Sequence, residues 1–182
     1  MGVRLEPMDH AQLAKRVGET CRLAGSFLLR SGQVSDRYFD KYLFEADPVL
    51  LAAVAELASS LIPADTEVLG GLELGGVPVA TALSLRTGLP ALFVRKEAKA
   101  YGTAKLAEGS AFDGRHVLVV EDVITTGGQV VTSTAALRER GAIVDSVLCV
   151  IDRTGGDHTP LTAAGLQVLS LFTADDLERP GP

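Results

Sequence analysis

The sequence predicts an α/β fold, with a mostly parallel central sheet flanked by helices, in one domain that spans residues 1–182. The apolar and mostly β-branched run at 117–120 lacks the polar alternation of a half-exposed strand, so we expect a parallel strand that is covered on both faces, and residues 143–151 are expected to form another β-branched strand. Segments with apolar residues at helical spacing lie between such runs, which is the order that a parallel sheet requires. A chain of 182 residues has the length of one ordinary domain.

The composition disfavours several classes of protein. A formal net charge of −6 argues against a nucleic-acid binder that depends on phosphate contacts. No apolar run reaches membrane-spanning length and residues 1–9 lack the core of a signal peptide, so we expect a cytoplasmic protein with neither a membrane nor a nucleic acid as partner. Cys21 and Cys149 form no CxxC pair and are expected to be buried thiols.

The first elements are a predicted helix and a small hairpin. Asp9 with Gln12 three residues later is typical of a capping box, and apolar residues then repeat at helical spacing, which predicts an amphipathic helix over residues 9–24. Residues 26–29 and 37–42 are typical of two short strands.

The hairpin carries side chains that could contact a ligand. Arg30 precedes its turn at Ser31 and Gly32, and Tyr38 and Phe39 lie on its second strand. Successive strand residues face opposite sides, so only one of the two aromatic residues is expected to face a given cleft. Core packing is the alternative role for such a pair.

The next elements alternate between helix and strand. Asp47 followed by proline predicts a helix start, and Pro63 ends that helix. A strand over residues 67–71, a helix over about 77–87 that stops at a glycine, and a strand over 91–94 follow.

A glycine-rich turn joins the strand at 67–71 to its helix. It has the Gly-x4-Gly spacing of a Walker loop, but Gly76 and Val77 stand where Lys and Ser or Thr are required. The Gly-x-Gly-x-x-Gly spacing of dinucleotide-binding folds is also missing. Backbone N–H groups of such a turn can still bind an anion, so pyrophosphate is the expected ligand.

Residues 95–109 form a long connection that carries four cations. Such connections in compact domains often prove to be active-site lids. A solvated charged loop or a short exposed helix is the alternative. Next to a phosphate site we favour a mobile lid whose cations cover a pyrophosphate.

The most informative stretch runs from residue 117 to residue 128. Glu121 and Asp122 are expected where the strand at 117–120 ends, and two threonines, two glycines and a helix over residues 129–140 follow. Backbone N–H groups and the helix dipole favour a phosphate at that loop. The carboxylates repel a phosphate but suit the vicinal hydroxyls of a ribose, or a Mg²⁺ held near them. Acids at a strand end and glycines at a helix start are also common turn chemistry, but the complete order favours ribose 5-phosphate as the ligand.

A second candidate position follows the strand at 143–151. Arg153 comes just past the carboxyl end of that strand, where open α/β sheets bind ligands, so its guanidinium could bind a substrate carboxylate. A surface salt bridge is an equally good explanation. A last strand over residues 166–172 and a short terminal helix complete the prediction.

The motif at 117–128 resembles the fingerprint of the type I phosphoribosyltransferases, and nearly the whole chain is similar to the orotate phosphoribosyltransferases. The run Arg-Lys-Glu-Ala-Lys at 95–99, the hairpin residues around Tyr38 and Phe39, and Asp152 with Arg153 carry this second resemblance. It implies transfer of ribose 5-phosphate from phosphoribosyl pyrophosphate to orotate, which gives orotidine 5′-monophosphate and pyrophosphate in pyrimidine biosynthesis.

The resemblance further implies how the domain and its assembly are organised. It implies a type I phosphoribosyltransferase fold with a hood at about 20–45 plus the C-terminal end, a core at about 48–172 and a mobile loop at about 95–109. Mg²⁺ is the implied cofactor, bound mainly through the phosphoribosyl pyrophosphate with no dedicated protein ligands. A homodimer is implied, in which the mobile loop is shared between the subunits.

Site residues are also implied by the resemblance. Those implied in phosphoribosyl pyrophosphate binding are Leu74, Gly75, Arg95, Lys96, Lys99, Tyr101, Glu121, Asp122, Val123, Ile124, Thr125, Thr126, Gly127, Gly128 and Gln129. Those implied in orotate binding are Arg30, Tyr38, Phe39, Thr125 and Arg153. Those implied in catalysis are Lys99, Tyr101, Glu121 and Asp122.

The sequence departs from the family pattern at three places. Leu74 and Gly75 stand where the family often has Tyr-Lys, so the backbone must hold the pyrophosphate there. Tyr101 stands where a histidine is common, which puts proton transfer by that side chain in doubt. Asp36 with Arg37 replaces a usual Pro-Tyr, so contacts to the base are expected to differ.

Two other functions stay open from the sequence. One is transfer to another base, although hypoxanthine-type enzymes generally lack the charged run at 95–99. The other is a regulator that keeps the domain as a ligand sensor, which the missing lysine at Gly75 leaves open.

Overall fold

A computed structural model describes residues 8–28, 32–96 and 106–178 of the chain. Its strands are β1 (Arg22–Leu28), β2 (Val34–Phe39), β3 (Val68–Leu72), β4 (Ala91–Val94), β5 (Ala107–Gly109), β6 (Val117–Ile124), β7 (Ser146–Asp152) and β8 (Gln167–Thr173). Its helices are α1 (His10–Cys21), α2 (Tyr42–Ala46), α3 (Pro48–Ala58), α4 (Gly76–Thr87), α5 (Gly128–Arg138), α6 (Thr159–Ala163) and α7 (Ala174–Glu178), and a 3₁₀ turn covers Ser59–Leu61.

The central sheet has the order β5-β4-β3-β6-β7-β8 among the described residues. All neighbouring pairs are parallel except β4 and β5, which are antiparallel. The carboxyl ends of β3, β4, β6 and β7 therefore meet at one edge of the sheet. This arrangement confirms the predicted α/β fold with a mostly parallel sheet.

Apolar side chains cover the sheet on both faces. One core cluster joins Leu118 and Val120 of β6 to apolar residues of α1–α4, and the other joins Val117 and Val119 of β6 to residues of α5 and α6. Alternate residues of a strand face opposite sides, which explains why this part of β6 is apolar throughout.

Several local predictions are confirmed. The capping box forms as predicted, since the Asp9 carboxylate accepts from the Gln12 N–H. The Asp47 carboxylate caps α3, and α4 ends at Gly88 with φ of 79°. Cys21 and Cys149 are free and buried.

The first helix is shorter than predicted. It ends at Cys21, and the remainder of residues 9–24 belongs to β1, which pairs in antiparallel fashion with β2. Helical spacing continues past Cys21, but strand pairing, which begins between Arg22 and Phe39, overrides it. The strand predicted over 37–42 was likewise misplaced, since β2 ends at Phe39 and α2 begins at Tyr42.

Two predicted boundaries near the site also need correction. The connection at 95–109 is shorter than predicted because Ala107–Gly109 forms β5 on the sheet edge. Residues 97–105 lie outside the described ranges. Strand β6 extends to Ile124, so Glu121 and Asp122 lie inside it rather than past its end, where Glu121 pairs with Cys149 of β7. The short helices α2 and α6 had no counterpart in the prediction.

Within the described ranges, none of the helices combines the length and the apolar character needed to cross a bilayer.

Candidate active site

The loop between β6 and α5 is exposed and leads into a helix start that no described side chain caps. Gly127 is the N-cap of α5 with φ of 75°, and a Cβ there would lie 2.8 Å from the side chain of Leu161 on α6. A side chain at this position would be strained in both respects. Thr125 and Thr126 are exposed beside it. The first N–H groups of α5 and the positive end of its dipole can therefore receive an anion.

Glu121 and Asp122 are neighbours in β6 but have different surroundings. Asp122 is fully buried, and its Oδ2 lies 2.5 Å from Nζ of Lys41. Its Oδ1 accepts from the N–H of Val123 at 2.8 Å. Glu121 keeps partial exposure, and its Oε1 accepts from the backbone N–H of Asp122 at 3.0 Å. Of the predicted acid pair, Glu121 is the member with surface to offer a ligand.

We define the acid cluster as Glu45, Glu121, Asp122 and Lys41. Burial, and then the hydrogen bond and charge of Asp122, raise the pKa of Glu121 to about 9. The same causes, in the same order, raise the pKa of Glu45 on α2 to about 9.

The other two members of the acid cluster are charged. Burial acts to raise the pKa of Asp122, but hydrogen bonds with Glu121, Glu45 and Lys41 outweigh it and hold that pKa below its usual range. Burial acts to lower the pKa of Lys41, but its hydrogen bond to Asp122 raises it overall. At neutral pH the cluster therefore contains one ion pair, Lys41 with Asp122, and two neutral carboxyl groups.

The turn from β3 to α4 approaches the acid cluster at Gly75. A Cβ on Gly75 would overlap Oδ2 of Asp122, so this position has no room for a side chain in the present arrangement. Leu74 beside it is 60% exposed. At the predicted pyrophosphate site, this turn therefore offers backbone groups and the exposed side chain of Leu74.

Arg95 and Lys96 follow β4 at the same edge of the sheet. The Arg95 N–H donates to the carbonyl of Leu106 at 2.9 Å, and the Lys96 N–H donates to Oε2 of Glu73 at 3.0 Å. The Nε of Arg95 is buried and has no hydrogen-bond partner among the described residues. These two predicted pyrophosphate ligands are brought to the edge where β6 ends.

The hairpin brings the predicted base-binding residues together with Arg153. The guanidinium of Arg153 lies 5.9 Å from the ring centre of Phe39, and the Arg153 N–H donates to the carbonyl of Ile124 at 2.8 Å. A cavity of about 200 Å³ lies there. Its lining residues are Arg22, Arg37, Tyr38, Phe39, Arg153, Ala174, Leu177 and Glu178. Both Tyr38 and Phe39 are lining residues of this cavity, and of the two rings it is that of Phe39 that meets Arg153, while the ring of Tyr38 stacks on Phe27 with ring centres 5.5 Å apart.

A network that the sequence did not indicate holds the loop after β7. Oδ1 of Asp152 accepts from the N–H and the hydroxyl of Thr154 at 2.8 and 2.7 Å, and Oδ2 lies 2.7 Å from Nε2 of His158. Asp152 is buried, so these contacts fix the backbone on either side of Arg153. His158 is therefore a structural residue of this loop.

The remaining predicted residues contribute in different ways. Ile124 is buried and Val123 packs against the core, so only the backbone of these two residues can meet a ligand. The side-chain amide of Gln129 donates to the hydroxyl of Ser133 at 3.0 Å. Arg30, Lys99 and Tyr101 lie outside the described residues. Lys41 and Glu45 were missed, because the sequence predicts a strand over 37–42 that contains Lys41 and does not predict the short helix α2 that carries Glu45.

No group of three or more His, Cys, Asp or Glu side chains that could hold a metal occurs within residues 8–28, 32–96 and 106–178. The carboxylate of Asp122 is already paired with Lys41.

Comparison with known proteins places this geometry in context. The sequence model of the phosphoribosyl transferase domain family matches residues 44–160 of this chain. The chain is 56% identical over 168 residues to an orotate phosphoribosyltransferase of Nocardioides sp., across 92% of this chain and 94% of that protein.

Solved structures give the same result. The orotate phosphoribosyltransferase of Mycobacterium tuberculosis in complex with Fe(III) dicitrate is 38% identical, with a TM-score of 0.85 and coverage of 94% of this chain and 100% of that one. The same enzyme in complex with 5-phospho-α-D-ribosyl 1-diphosphate is matched at 34% identity and a TM-score of 0.81, with the same coverage.

Proposed function

This chain belongs to the orotate phosphoribosyltransferase family, and from that membership we propose how its site carries out the transfer. The reaction moves the ribose 5-phosphate group from phosphoribosyl pyrophosphate to orotate, giving orotidine 5′-monophosphate and pyrophosphate for pyrimidine biosynthesis. The observation that carries the proposal is the β6–α5 connection, where a helix start free of side-chain caps follows a partly exposed carboxyl group.

The sugar phosphate of the donor lies along this connection. Backbone N–H groups at the start of α5 and the hydroxyls of Thr125 and Thr126 bind the 5-phosphate, because they offer donors and partial positive charge at one place. Glu121 faces the ribose hydroxyls, which can donate hydrogen bonds to the oxygens of its carboxyl group. The 5-phosphate thus lies at the start of α5, while the ribose hydroxyls lie at Glu121, so the phosphate charge is kept away from the carboxyl groups of the acid cluster.

The pyrophosphate lies between the β3–α4 turn and the cations that follow β4. Arg95 supplies a buried guanidinium nitrogen without a described partner, and Lys96 and Lys99 add positive charge. We place Mg²⁺ on the pyrophosphate rather than in a protein cage, since the acid cluster is occupied by Lys41. When bound, Mg²⁺ neutralises charge on the leaving group.

Orotate lies in the cavity between the hairpin and β7. The guanidinium of Arg153 binds its carboxylate, and Tyr38 and Phe39 enclose the ring. The ring nitrogen of orotate attacks the ribose carbon directly as the bond to pyrophosphate breaks, and its proton passes to the leaving pyrophosphate or to water, so no protein nucleophile is needed. Catalysis is positioning and charge stabilisation as pyrophosphate leaves, with water kept out by the loop that contains Lys99 and Tyr101.

Two further features belong to this proposal. A homodimer would let Lys99 and Tyr101 reach the partner's site, as the family resemblance implies. Phosphoribosyl pyrophosphate carries several negative charges and orotate carries one, so neither crosses a membrane unaided, and we propose that the protein works in the cytoplasm.

Release of pyrophosphate, followed together with the loss of orotate absorbance where orotate is the base, tests the proposal directly. The protein is mixed with Mg²⁺, phosphoribosyl pyrophosphate and orotate, and then with adenine, hypoxanthine or uracil in place of orotate. Turnover is expected with orotate alone. The replacement of Thr126 and Gly127 by valine should abolish it, because a side chain at Gly127 would collide with Leu161 and strain the positive φ, and Thr126→Val removes a hydroxyl donor. Turnover with a purine, or none with orotate, would contradict the proposal.

A further inference from the structure

Lys41 connects the hairpin to the acid cluster. It is the N-cap residue of α2, two residues after the end of the hairpin strand β2, and its Nζ lies 2.5 Å from Oδ2 of Asp122 on β6. Its ammonium also lies 5.4 Å from the ring centre of Tyr42, a cation–π contact that orients the side chain. One lysine thus ties an element outside the central sheet to the strand that carries the acid pair.

The surroundings of Asp122 make this cation hard to replace. Asp122 is fully buried, and no other ion pair to it occurs within the described ranges. Its neighbours in the cluster are two carboxyl groups, and Oε1 of Glu45 is itself buried without a hydrogen-bond partner among the described residues. The nearest turn offers only Gly75, where a side chain would overlap the Asp122 carboxylate.

We propose that Lys41 is a positioning residue for the transfer reaction. It holds Asp122 as a fixed carboxylate, and through the hydrogen bonds between Asp122 and Glu121 it fixes the orientation in which Glu121 meets the ribose. Lys41 acts through Asp122 and does not touch the substrate. This inference rests on the proposed placement of the ribose at Glu121.

Removal of the ammonium should disturb the donor side of the site in particular. A buried carboxylate without its partner either takes up a proton or moves toward solvent. Either change alters Glu121 and the end of β6, which leads directly into the phosphate loop. The cavity that receives the orotate lies at the hairpin and Arg153, so orotate binding should change much less.

The test compares Lys41→Met, Lys41→Arg and a matched control, Lys15→Met, in which the lysine is exposed on α1. For Lys41→Met we expect kcat/KM for phosphoribosyl pyrophosphate to fall about ten- to a hundred-fold, with a raised KM for that substrate, because a shifted ligand group costs that much. KM for orotate should stay within about twofold, and Lys41→Arg should recover most of the loss. Lys15→Met should match the wild type.

The pattern separates positioning from a purely structural role. A structural role would lower the amount of active enzyme and leave both KM values unchanged, and that result, or equal increases in both KM values, would overturn the proposal. Wild-type kinetics in Lys41→Met would do the same. If the wild-type protein itself showed no turnover with orotate, the proposed function would be rejected instead.

A double-mutant cycle covers the case in which Lys41→Met unfolds partly. Affinity for phosphoribosyl pyrophosphate is measured by calorimetry in Asp122→Asn and in Asp122→Asn with Lys41→Met. If Lys41 acts through Asp122, the second substitution changes affinity by less than about twofold in this background. An undiminished effect would show that Lys41 acts by another route and would overturn the proposal.

Discussion

The backbone of Gly75 and the carboxylate of Asp122 share a space too small for any further side chain. The φ of Gly75 is −68°, which any residue can adopt, so glycine is required here by space and not by backbone conformation. Asp122 cannot move aside freely, because it is fully buried and paired with Lys41. The choice of residue at position 75 is therefore tied to the position of the lysine that neutralises Asp122.

Gly75→Ala tests this coupling. The added methyl group overlaps the carboxylate and must displace it from Lys41, so we expect the free energy of unfolding to fall by about 1–3 kcal/mol. KM for phosphoribosyl pyrophosphate should rise as the acid cluster shifts. Chemical denaturation and steady-state kinetics measure the two effects, and an alanine variant with wild-type values for both would show that the carboxylate has room to relocate.

Helix α2 is only five residues long, yet it contributes a buried carboxyl group to the packing against β6. Glu45 is held neutral there, with its pKa raised to about 9 by burial and by Asp122. In the unfolded chain the same group ionises near its ordinary value of 4.5. Folding thus requires this carboxyl group to keep a proton over the whole range between those two values.

Glu45→Gln should remove that requirement while keeping a donor beside Asp122. For a group whose pKa is raised by folding, the associated stability is fully present below the unfolded pKa and is lost as the pH rises toward the folded pKa. The variant should therefore gain melting temperature over the wild type at about pH 8 and show little gain at about pH 5, by thermal denaturation at each pH.

The matched control is Glu19→Gln, which changes an exposed carboxyl group on α1. The difference in melting temperature between Glu19→Gln and the wild type should be the same at both pH values. If Glu45→Gln is less stable than the wild type at about pH 8, then Glu45 is ionised in the folded protein and the acid cluster holds a different charge pattern.

The elements differ in how far local sequence could predict them. The β6–α5 connection was predictable, because buried strands, glycine turns and helix starts are dictated by neighbouring residues. The end of β6 was not, since the acid pair was expected past the strand, whereas Asp122 is buried inside it and paired with the distant Lys41. The pair of Lys41 and Asp122 depends on how the hairpin packs onto the sheet, which no local pattern contains.

Across the whole molecule, the site is assembled from segments that share one edge of the sheet. Turns after β3, β4, β6 and β7 meet there because those strands are parallel, and the β1–β2 hairpin adds the cavity beside Arg153. The resemblance to a family could place residues along these turns. It could not show that Arg22 and Arg37 line the same cavity as Arg153, because that follows from the pairing of β1 with β2.

A ligand that contacts several of these segments at once should stabilise the folded chain as a unit. Phosphoribosyl pyrophosphate with Mg²⁺ is expected to raise the melting temperature by roughly 5–10 °C at a concentration about a hundredfold above its Kd. Mg²⁺ alone should cause no shift, since we place the metal on the substrate and Lys41 already neutralises Asp122.

Thermal denaturation with each ligand separates these contributions. Ribose 5-phosphate is the matched control, because it keeps the phosphate and the diol but lacks the pyrophosphate, so its smaller shift should not depend on Mg²⁺. Chelation of Mg²⁺ should reduce the shift with phosphoribosyl pyrophosphate toward that of the control. A full shift with Mg²⁺ alone would instead locate a metal site on the protein, and the acid cluster would then have to release Lys41 to form it.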